Sequence, residues 1–276
     1  MTDLRLPEID TTRLEDGRYA VLLGNHIPIK GVGDGCILTA LIREFNIKYP
    51  TIPIVLRTKG PKDVFLNNPR IYKMEDNLIN HSVDLGAGHY ITRKCRYFGI
   101  ENPELKGELF FTPKELNIAR ETIKLLSGTK PVVIFCQNST DNRRNWTREA
   151  WEAAIDIMSP QFDFYQVEQK IHYHRFEPDD PCDSLPCLYD TVRNARQELR
   201  NGELRKIMAL QAVTKRTLTS NTGFYHIGMS VGDVACFLHT KYAGGDGEWT
   251  YPQAYNFFED SDPTVVSNTI LERWAV

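Results

Sequence analysis

Three segments contain the residues best suited to chemistry, and each follows a short apolar run in the sequence. Residues 30–35 hold three glycines and Asp34, residues 137–146 hold hydroxyls and two adjacent arginines, and residues 220–226 read S-N-T-G-F-Y-H. Hydroxyls, arginines and the N–H groups at the start of a helix bind phosphate. An aspartate can accept a proton during a reaction. The three segments therefore indicate a phosphorylated ligand and a general base.

A strand and a helix are predicted to flank the first of these segments. Residues 18–23 form an apolar run that ends at Gly24, and residues 36–49 carry apolar side chains at helical spacing up to Pro50. A further apolar run over 52–56 predicts a second strand. The opening of the chain therefore reads as one βαβ unit with parallel strands, in which the glycine-rich loop 30–35 joins strand to helix.

The rest of the chain repeats this alternation. Less regular residues 57–112 include a short strand near 71–74 and a short helix or arm over 90–98. We then predict strands over 131–136, 162–167, 216–219 and 234–238, and helices over 114–126, 147–158, 189–200, 203–213 and 263–274. A turn at S-G-T-K-P suggests a domain boundary near residue 127. The fold class is therefore α/β with two Rossmann-like domains, 1–126 and 127–276.

Composition excludes several classes of protein. The chain has 276 residues, 41% of them hydrophobic and 25% charged, which is typical of globular proteins rather than disordered ones. The net charge of −3 gives no global attraction to nucleic acid or anionic lipid. Its apolar runs are too short to span a bilayer, which still leaves peripheral membrane contact open. The acidic, proline-containing start is unlike a signal peptide, so we expect a cytoplasmic protein.

The cysteines suggest neither disulfides nor a metal site. Six of them are scattered through the chain, three within apolar strand-like runs, as in reduced cytoplasmic proteins. Cys182 and Cys187 lie near His172 and His174, but their spacing matches no standard zinc pattern. We therefore predict no metal and no bound cofactor.

The three loops are expected to line one cleft between the two domains, because each leaves the carboxyl end of a strand, where ligands bind in doubly wound sheets. The first domain offers Asp34. The second offers donors suited to a diphosphate, namely Ser139, Thr140, Arg143, Arg144, Thr222 and Gly223. A carboxylate opposite such donors suits a reaction in which an acceptor hydroxyl is deprotonated while it attacks a sugar that carries a nucleoside diphosphate leaving group.

Taken together, these loops resemble the heptosyltransferase-type GT-B glycosyltransferases of family nine. The segment G-V-G-D-G-C-I-L-T-A-L-I-R-E-F-N-I-K-Y-P at 31–50 is similar to the family's opening glycine loop, catalytic aspartate and helix. The segment N-S-T-D-N-R-R-N-W-T-R-E-A-W at 138–151 resembles its loop with a basic residue before a tryptophan. The segment 220–232 resembles its Asp-Thr/Ser-Gly-x-x-His block. The resemblance covers most of the chain and is weakest at 57–112 and 170–200.

The resemblance implies a role for each matching residue. Asp34 would be the general base on the acceptor side, and Arg143 or Arg144 would neutralise the leaving diphosphate. The donor would be bound by Gly33, Ser139, Thr140, Arg143, Arg144, Asn221, Thr222, Gly223 and His226. Asn221 stands where the family usually has an aspartate. The glycine-rich loop near 244–249 adds Tyr242 and Glu248 as further candidates for the donor pocket.

The same resemblance implies two facing Rossmann-like domains, a nucleotide-diphosphate sugar as donor, and inversion at the anomeric carbon without a metal. The expected acceptor is a bacterial glycan or a lipopolysaccharide-type saccharide. Two alternatives remain. One is a phage-type enzyme that glycosylates hydroxymethylated DNA bases in an infected host, with basic patches at 57–62, 93–96 and 143–148 following the phosphate backbone. The other, suggested by Asn221, is a non-catalytic nucleotide-sugar-binding or assembly protein that has kept the fold. Separately, Asp34 could merely cap the helix that follows it.

Overall fold

A computed structural model describes residues 10–24, 31–76, 87–137, 146–168, 195–200, 204–238, 247–258 and 260–274, with backbone only at residues 168 and 195–200. The chain divides into two compact units. The first comprises Met1–Phe111 with Asp246–Tyr251, and the second comprises Thr112–Gly245 with Pro252–Val276.

The first unit contains a four-stranded sheet in the order β1-β2-β3-β4. Strand β1 pairs antiparallel with β2, whereas the β2–β3 and β3–β4 pairs are parallel. The predicted βαβ unit is thus confirmed. The elements of this unit are β1 (Thr11–Arg13), β2 (Tyr19–Leu23), α1 (Val32–Lys48), β3 (Ile54–Arg57), β4 (Ile71–Glu75) and α2 (Tyr90–Tyr97).

Helix α1 buries most of its length, including Ile37, Leu41 and Phe45, which are at most 1% exposed. It begins at Val32, earlier than the predicted start at Cys36. The prediction of a loop through residue 35 was therefore wrong, since Asp34 lies in the first helical turn. The carboxylate of Asp34 accepts a hydrogen bond from the backbone N–H of Gly31 at 3.1 Å, which stabilises this early start.

Gly24 allows β2 to end close to β3. Its φ of +110° is a backbone conformation that side chains disfavour, and a Cβ atom there would lie 1.9 Å from the carbonyl oxygen of Arg57. Only glycine fits at this position, so the chain leaves the sheet where the sequence predicted.

The second unit contains a six-stranded sheet in the order β10-β9-β8-β5-β6-β7, and every pairing in it is parallel. Its strands are β5 (Val132–Cys136), β6 (Asp163–Glu168), β7 (Ala195–Arg200), β8 (Arg216–Ser220), β9 (Asp233–Phe237) and β10 (Tyr255–Phe257). Its helices are α3 (Pro113–Leu126), α4 (Arg148–Met158), α5 (Leu204–Thr214), α6 (Gly223–Val231) and α7 (Pro263–Trp274).

Aromatic side chains dominate the core between this sheet and helices α4 and α7. Trp151 of α4 packs edge-on against Trp146 and Phe135, with ring centroids 5.1 and 5.2 Å apart. Trp146 in turn stacks on Phe237 of β9 at 5.4 Å. These rings join the start and middle of α4 to two strands, so the end of the loop after β5 is fixed in place at Trp146.

Two expectations differ from the structure. Residues 195–200 form strand β7 rather than the end of a helix, because they pair in parallel with the edge of β6. Residues 189–194 lie outside the described part of the chain. The units divide between Phe111 and Thr112, earlier than the boundary near 127, because α3 packs on α5 and Glu115 pairs with Arg205 at 2.6 Å.

Candidate functional site

The order of strands in the second unit identifies one edge of its sheet as a binding position. After β5, the chain adds β6 and β7 on one side, then returns to place β8 on the other side of β5. In a parallel sheet, the carboxyl ends of the two strands at such a reversal leave a crevice between their loops. The two loops here are those after β5 and β8, which are the second and third segments singled out from the sequence.

The turn after β8 is built from buried polar residues. Ser220 donates its hydroxyl to the carbonyl oxygen of Gln137, which ties the two loops together. Asn221 is 4% exposed. Thr222 is the N-cap of α6, and its hydroxyl accepts a hydrogen bond from the N–H of Phe224 at 3.1 Å. The helix therefore begins directly at the predicted turn, with Gly223 as its first residue.

Helix α6 packs unusually close to the sheet. A Cβ atom at Gly228 would lie 2.6 Å from a methyl group of Val234 and 3.1 Å from Thr217. His226 is 5% exposed and lies two residues before Gly228. Ser230 donates its hydroxyl to the carbonyl oxygen of His226 at 2.8 Å. The buried position of His226 fits a structural or phosphate-adjacent role. Because Gly228 has no Cβ atom, α6 can pack closely against Val234 and Thr217 of the sheet.

In the first unit, Asp34 lies at the third position of α1 and is partly exposed. Its hydrogen bond to Gly31 means that the carboxylate does cap the helix. Capping a helix and accepting a proton are both roles that a carboxylate can have. Gly33 lies beside it in the same turn.

A segment from late in the sequence, residues 247–251, packs on α2 within this same unit. Glu248 accepts a hydrogen bond from the backbone N–H of Tyr90 at 2.9 Å and pairs with Arg93 at 3.1 Å. Trp249 stacks on the ring of Tyr90 with centroids 4.5 Å apart. We name this segment the strap. Glu248, which the sequence suggested for a donor pocket, thus contacts α2 of the first unit.

Burial changes the ionisation of several side chains around α2. It lowers the pKa of His89 to about 4 and that of Lys94 to about 7. Burial also raises the pKa of Tyr90, and the charge of Asp34 adds to this. Asp34 acts in the opposite sense to burial on Lys94, because its negative charge favours the ammonium. The negative charge of Asp34 on α1 thus affects the pKa of both Tyr90 and Lys94 on α2.

Sequence reasoning missed this cluster as a site. His89, Tyr90 and Lys94 stand in a stretch without a recognised motif, and the strap lies some 150 positions later in the printed sequence. The only available signal was the run of basic residues at 93–96. A run of basic residues usually indicates a solvent-exposed surface. Lys94 is nevertheless 0% exposed, because the packing of its helix buries it.

Several predicted residues fall outside the described part of the chain. These are Ser139, Thr140, Arg143, Arg144 and Tyr242, together with Cys182, Cys187, His172 and His174. Among residues that are described, no group of three or more His, Cys, Asp or Glu side chains could hold a metal ion. Within the same ranges, no helix has the length and apolar character needed to cross a membrane.

Solved structures with the same fold are glycosyltransferases. The glycosyltransferase family 9 protein of Veillonella parvula DSM 2008 matches with a TM-score of 0.63 and 12% identity, covering 90% of each chain. The E. coli ADP-heptose lipopolysaccharide heptosyltransferase II matches with a TM-score of 0.62 and 12% identity, covering 89% of this chain and 97% of that one. The chain has the fold of these enzymes.

A third match is the E. coli heptosyltransferase WaaC with ADP, with a TM-score of 0.55 and 11% identity, covering 88% of this chain and 97% of that one. No protein-family model and no curated protein matches the sequence. The resemblance inferred from three motifs is thus confirmed as a likeness of fold, and the α/β, GT-B-type class is confirmed, with sheets that are parallel apart from the β1–β2 pair.

Proposed function

We propose that this protein is a glycosyltransferase that moves a sugar from a nucleotide-diphosphate donor to an acceptor hydroxyl. The observation that carries the proposal is the turn after β8, where Thr222 caps α6 beside the reversal between β5 and β8. The amino end of a helix at such a reversal is suited to a diphosphate. The fold shared with heptosyltransferases supports a nucleotide sugar as the ligand.

In this proposal the second unit binds the donor. The N–H of Gly223 and the hydroxyl of Thr222 donate to the diphosphate, and the loop 138–145 contributes Ser139, Thr140 and one of its two arginines. The contact of Thr222 with the hydroxyl of Thr219 is long, at 3.4 Å, so a phosphate oxygen can replace it at little cost. Asn221 contributes an amide where the related family usually has a carboxylate.

Asp34 of the first unit is the general base. Its carboxylate takes the proton from the acceptor hydroxyl as the acceptor oxygen forms a bond to the anomeric carbon. The bond between that carbon and the diphosphate breaks on the opposite side, and the diphosphate leaves with the electron pair. One base and one set of phosphate donors suffice for such a single displacement, so we propose inversion and no metal requirement.

The proposed acceptor is a bacterial glycan or lipopolysaccharide-type saccharide rather than DNA. The described residues of the basic patches are largely neutralised by acidic partners. Arg57 pairs with Glu75 at 3.0 Å, and Arg93 pairs with Glu248 at 3.1 Å. Lys94 is buried. Few of these positive charges are therefore available to contact the phosphates of DNA.

The test begins with the donor. A panel of nucleotide sugars, headed by ADP-linked sugars, is screened by thermal shift, and the donor that stabilises the protein is used for transfer assays. A ligand at 100 times its dissociation constant stabilises a fold by about 2.7 kcal/mol. The configuration of the product at the anomeric carbon, and activity in the presence of a chelator, then test inversion and metal independence.

Asp34→Asn decides between catalysis and mere binding. We expect kcat to fall by roughly 10²- to 10⁴-fold, because the amide cannot take the proton, while donor affinity is retained. Asp16→Asn removes an exposed carboxylate of the same unit and serves as the matched control. Turnover by Asp34→Asn equal to that of the control would contradict the assignment of Asp34. Donor binding without any turnover in the natural protein would favour the non-catalytic alternative.

A further inference from the structure

Gln211 of α5 is a buried amide that contacts the start of α6. Its side chain is 0% exposed. The Nε2 atom donates to the hydroxyl of Thr217 at 2.9 Å and to the carbonyl oxygen of Phe224 at 3.2 Å. Because a carbonyl oxygen can only accept, the atom that faces Phe224 must be the amide nitrogen. The side chain of Gln211 therefore links three elements, α5, β8 and α6.

This orientation of the amide carries a cost in stability. With the nitrogen of Gln211 directed at Thr217 and Phe224, its Oε1 atom is buried and has no hydrogen-bond partner among the described residues. An unsatisfied buried acceptor destabilises a fold. A methionine at position 211 that faced a valine at position 217 would fill the same space with no polar group to satisfy. Stability alone therefore does not explain a glutamine here.

The position of Phe224 explains what the amide holds. Phe224 lies in the first turn of α6, and both of its peptide groups are engaged by side chains. Its carbonyl oxygen accepts from Gln211, and its N–H donates to the hydroxyl of the N-cap residue Thr222 at 3.1 Å. Thr222 and Gly223 are the residues that donate to the diphosphate in the function proposed above. A shift of Phe224 would therefore move these donors.

A second buried side chain holds the next residue of the same turn. Tyr225 is 0% exposed, and its hydroxyl donates to Oδ1 of Asn256 on β10 at 2.8 Å. The first turn of α6 is thus tied to α5 through Phe224 and to β10 through Tyr225. Satisfied polar contacts in a core specify one arrangement, whereas apolar packing tolerates small shifts. These two contacts therefore fix the helix start in place.

We propose that Gln211 is a positioning residue for the donor site: its amide sets where the first turn of α6 lies, and thereby where Thr222 and Gly223 meet the diphosphate. The proposal rests on the function proposed above, in which this turn binds the donor. Gln211 is fully buried and acts only through Phe224. Its removal should weaken donor binding and leave acceptor binding unchanged.

Two variants distinguish an effect on position from an effect on stability. Gln211→Met leaves the hydroxyl of Thr217 without the amide that donates to it, so the midpoint of thermal unfolding should fall. Combining Gln211→Met with Thr217→Val removes both polar partners, and such paired replacements are nearly neutral or stabilising. In the double variant, stability should therefore return to about that of the natural protein, while the first turn of α6 remains released.

The first experiment needs no ligand. Amide hydrogen exchange is measured by NMR at Phe224 and Tyr225, whose N–H groups are bonded to Thr222. We expect exchange there to quicken by about five- to tenfold in the double variant. Ser267→Ala is the matched control, because it removes a buried hydrogen bond of 3.0 Å between α7 and α4 of the same unit. Equal exchange in the natural protein, the double variant and the control would overturn the proposal.

The second experiment measures donor binding. ADP, UDP and GDP are titrated by calorimetry, and the nucleotide that the natural protein binds is carried through the variants. We expect the Kd of the double variant to rise by about tenfold, about the contribution of one hydrogen bond to a charged group, and that of Ser267→Ala to stay unchanged. In transfer assays the KM for the donor should rise while the KM for the acceptor does not. Natural stability combined with a natural Kd in the double variant would show that Gln211 has a merely structural role.

The results also keep the two proposals apart. If exchange at the start of α6 quickens but the natural protein binds no nucleoside diphosphate, the proposed function fails and the hold of Gln211 on the turn stands. If the natural protein binds and transfers but the double variant binds equally well, this inference fails and the function stands. Gln211→Leu combined with Thr217→Val provides a second variant should the first fold poorly, and a thermal midpoint near that of the natural protein verifies the fold of either.

Discussion

The ion pair between α3 and α5 should stabilise the second unit in a pH-dependent way. Arg205 lies 2.6 Å from the carboxylate of Glu115, which also accepts hydrogen bonds from the N-cap residue Thr112. These contacts lower the pKa of Glu115 from 4.5 to about 2. At 1.36 kcal/mol per pKa unit the whole difference amounts to about 3 kcal/mol. The carboxylate is 26% exposed, so solvent screening reduces this to about 1–2 kcal/mol.

The test variant is Glu115→Gln, which keeps the capping hydrogen bond to Thr112 but loses the charge. Because the folded-state pKa of Glu115 is depressed, its contribution is fully present above pH 4.5 and is lost as the pH falls toward 2. Urea unfolding, followed by fluorescence of the tryptophans of this unit, should therefore show a loss of about 1–2 kcal/mol at pH 7 that shrinks below pH 4.5.

Glu121→Gln on the same helix is the matched control, since its ion pair with Lys124 joins side chains that are 67% and 71% exposed. Its expected cost is below about 0.5 kcal/mol at any pH. An equal loss in both variants, or a loss from Glu115→Gln that persists unchanged to pH 2, would refute the linkage between the Glu115 pKa and stability.

Two further substitutions test the packing that holds each site. Gly228→Ala should cost about 1–3 kcal/mol and weaken donor binding, because its Cβ would lie 2.6 Å from Val234 and push α6 from the sheet. Thermal unfolding and donor titration measure both effects. Gly128→Ala is the control in the same unit, since its Cβ would lie 3.9 Å from Asp163, an ordinary contact, and should leave the stability nearly unchanged. Arg43→Met should cost about 2–4 kcal/mol and speed proteolysis near residues 104–106, since buried Arg43 donates to two carbonyl groups there. Arg18→Met, which removes an arginine that is 56% exposed in the same unit, should leave the stability unchanged.

Much of the fold could be predicted because apolar periodicity and turn chemistry agree along most of the chain. Helix α7 has the predicted bounds, Pro263–Trp274, and the parallel β2–β3 pair matches the predicted βαβ unit. The failures arise where pairing or capping outweighs local pattern. Residues 195–200 form a strand because they pair with the edge of β6. Helix α1 begins one turn earlier than predicted because Asp34 caps its backbone.

The candidate site of the second unit and the α2 cluster of the first unit differ in how far the sequence could predict them. The turn at 220–223 is local, so strand, N-cap and helix start can all be read from consecutive residues. The cluster around α2 is not local, because Tyr90 is stacked by Trp249 from the strap. Nothing in the sequence near Lys94 indicates that its ammonium is buried.

Asn221 bears on which donor sugar the protein binds. At 4% exposure the residue is buried at the carboxyl end of β8. A carboxylate there would need a cation or several donors to offset its desolvation, whereas an amide brings its own donor and acceptor and is cheaper to bury. The amide also adds no negative charge beside the proposed diphosphate. Asparagine at this position is therefore compatible with phosphate binding in the proposed transferase. We expect its effect to fall on the choice of sugar instead, because the amide would contact sugar groups that an aspartate contacts in the structurally similar family.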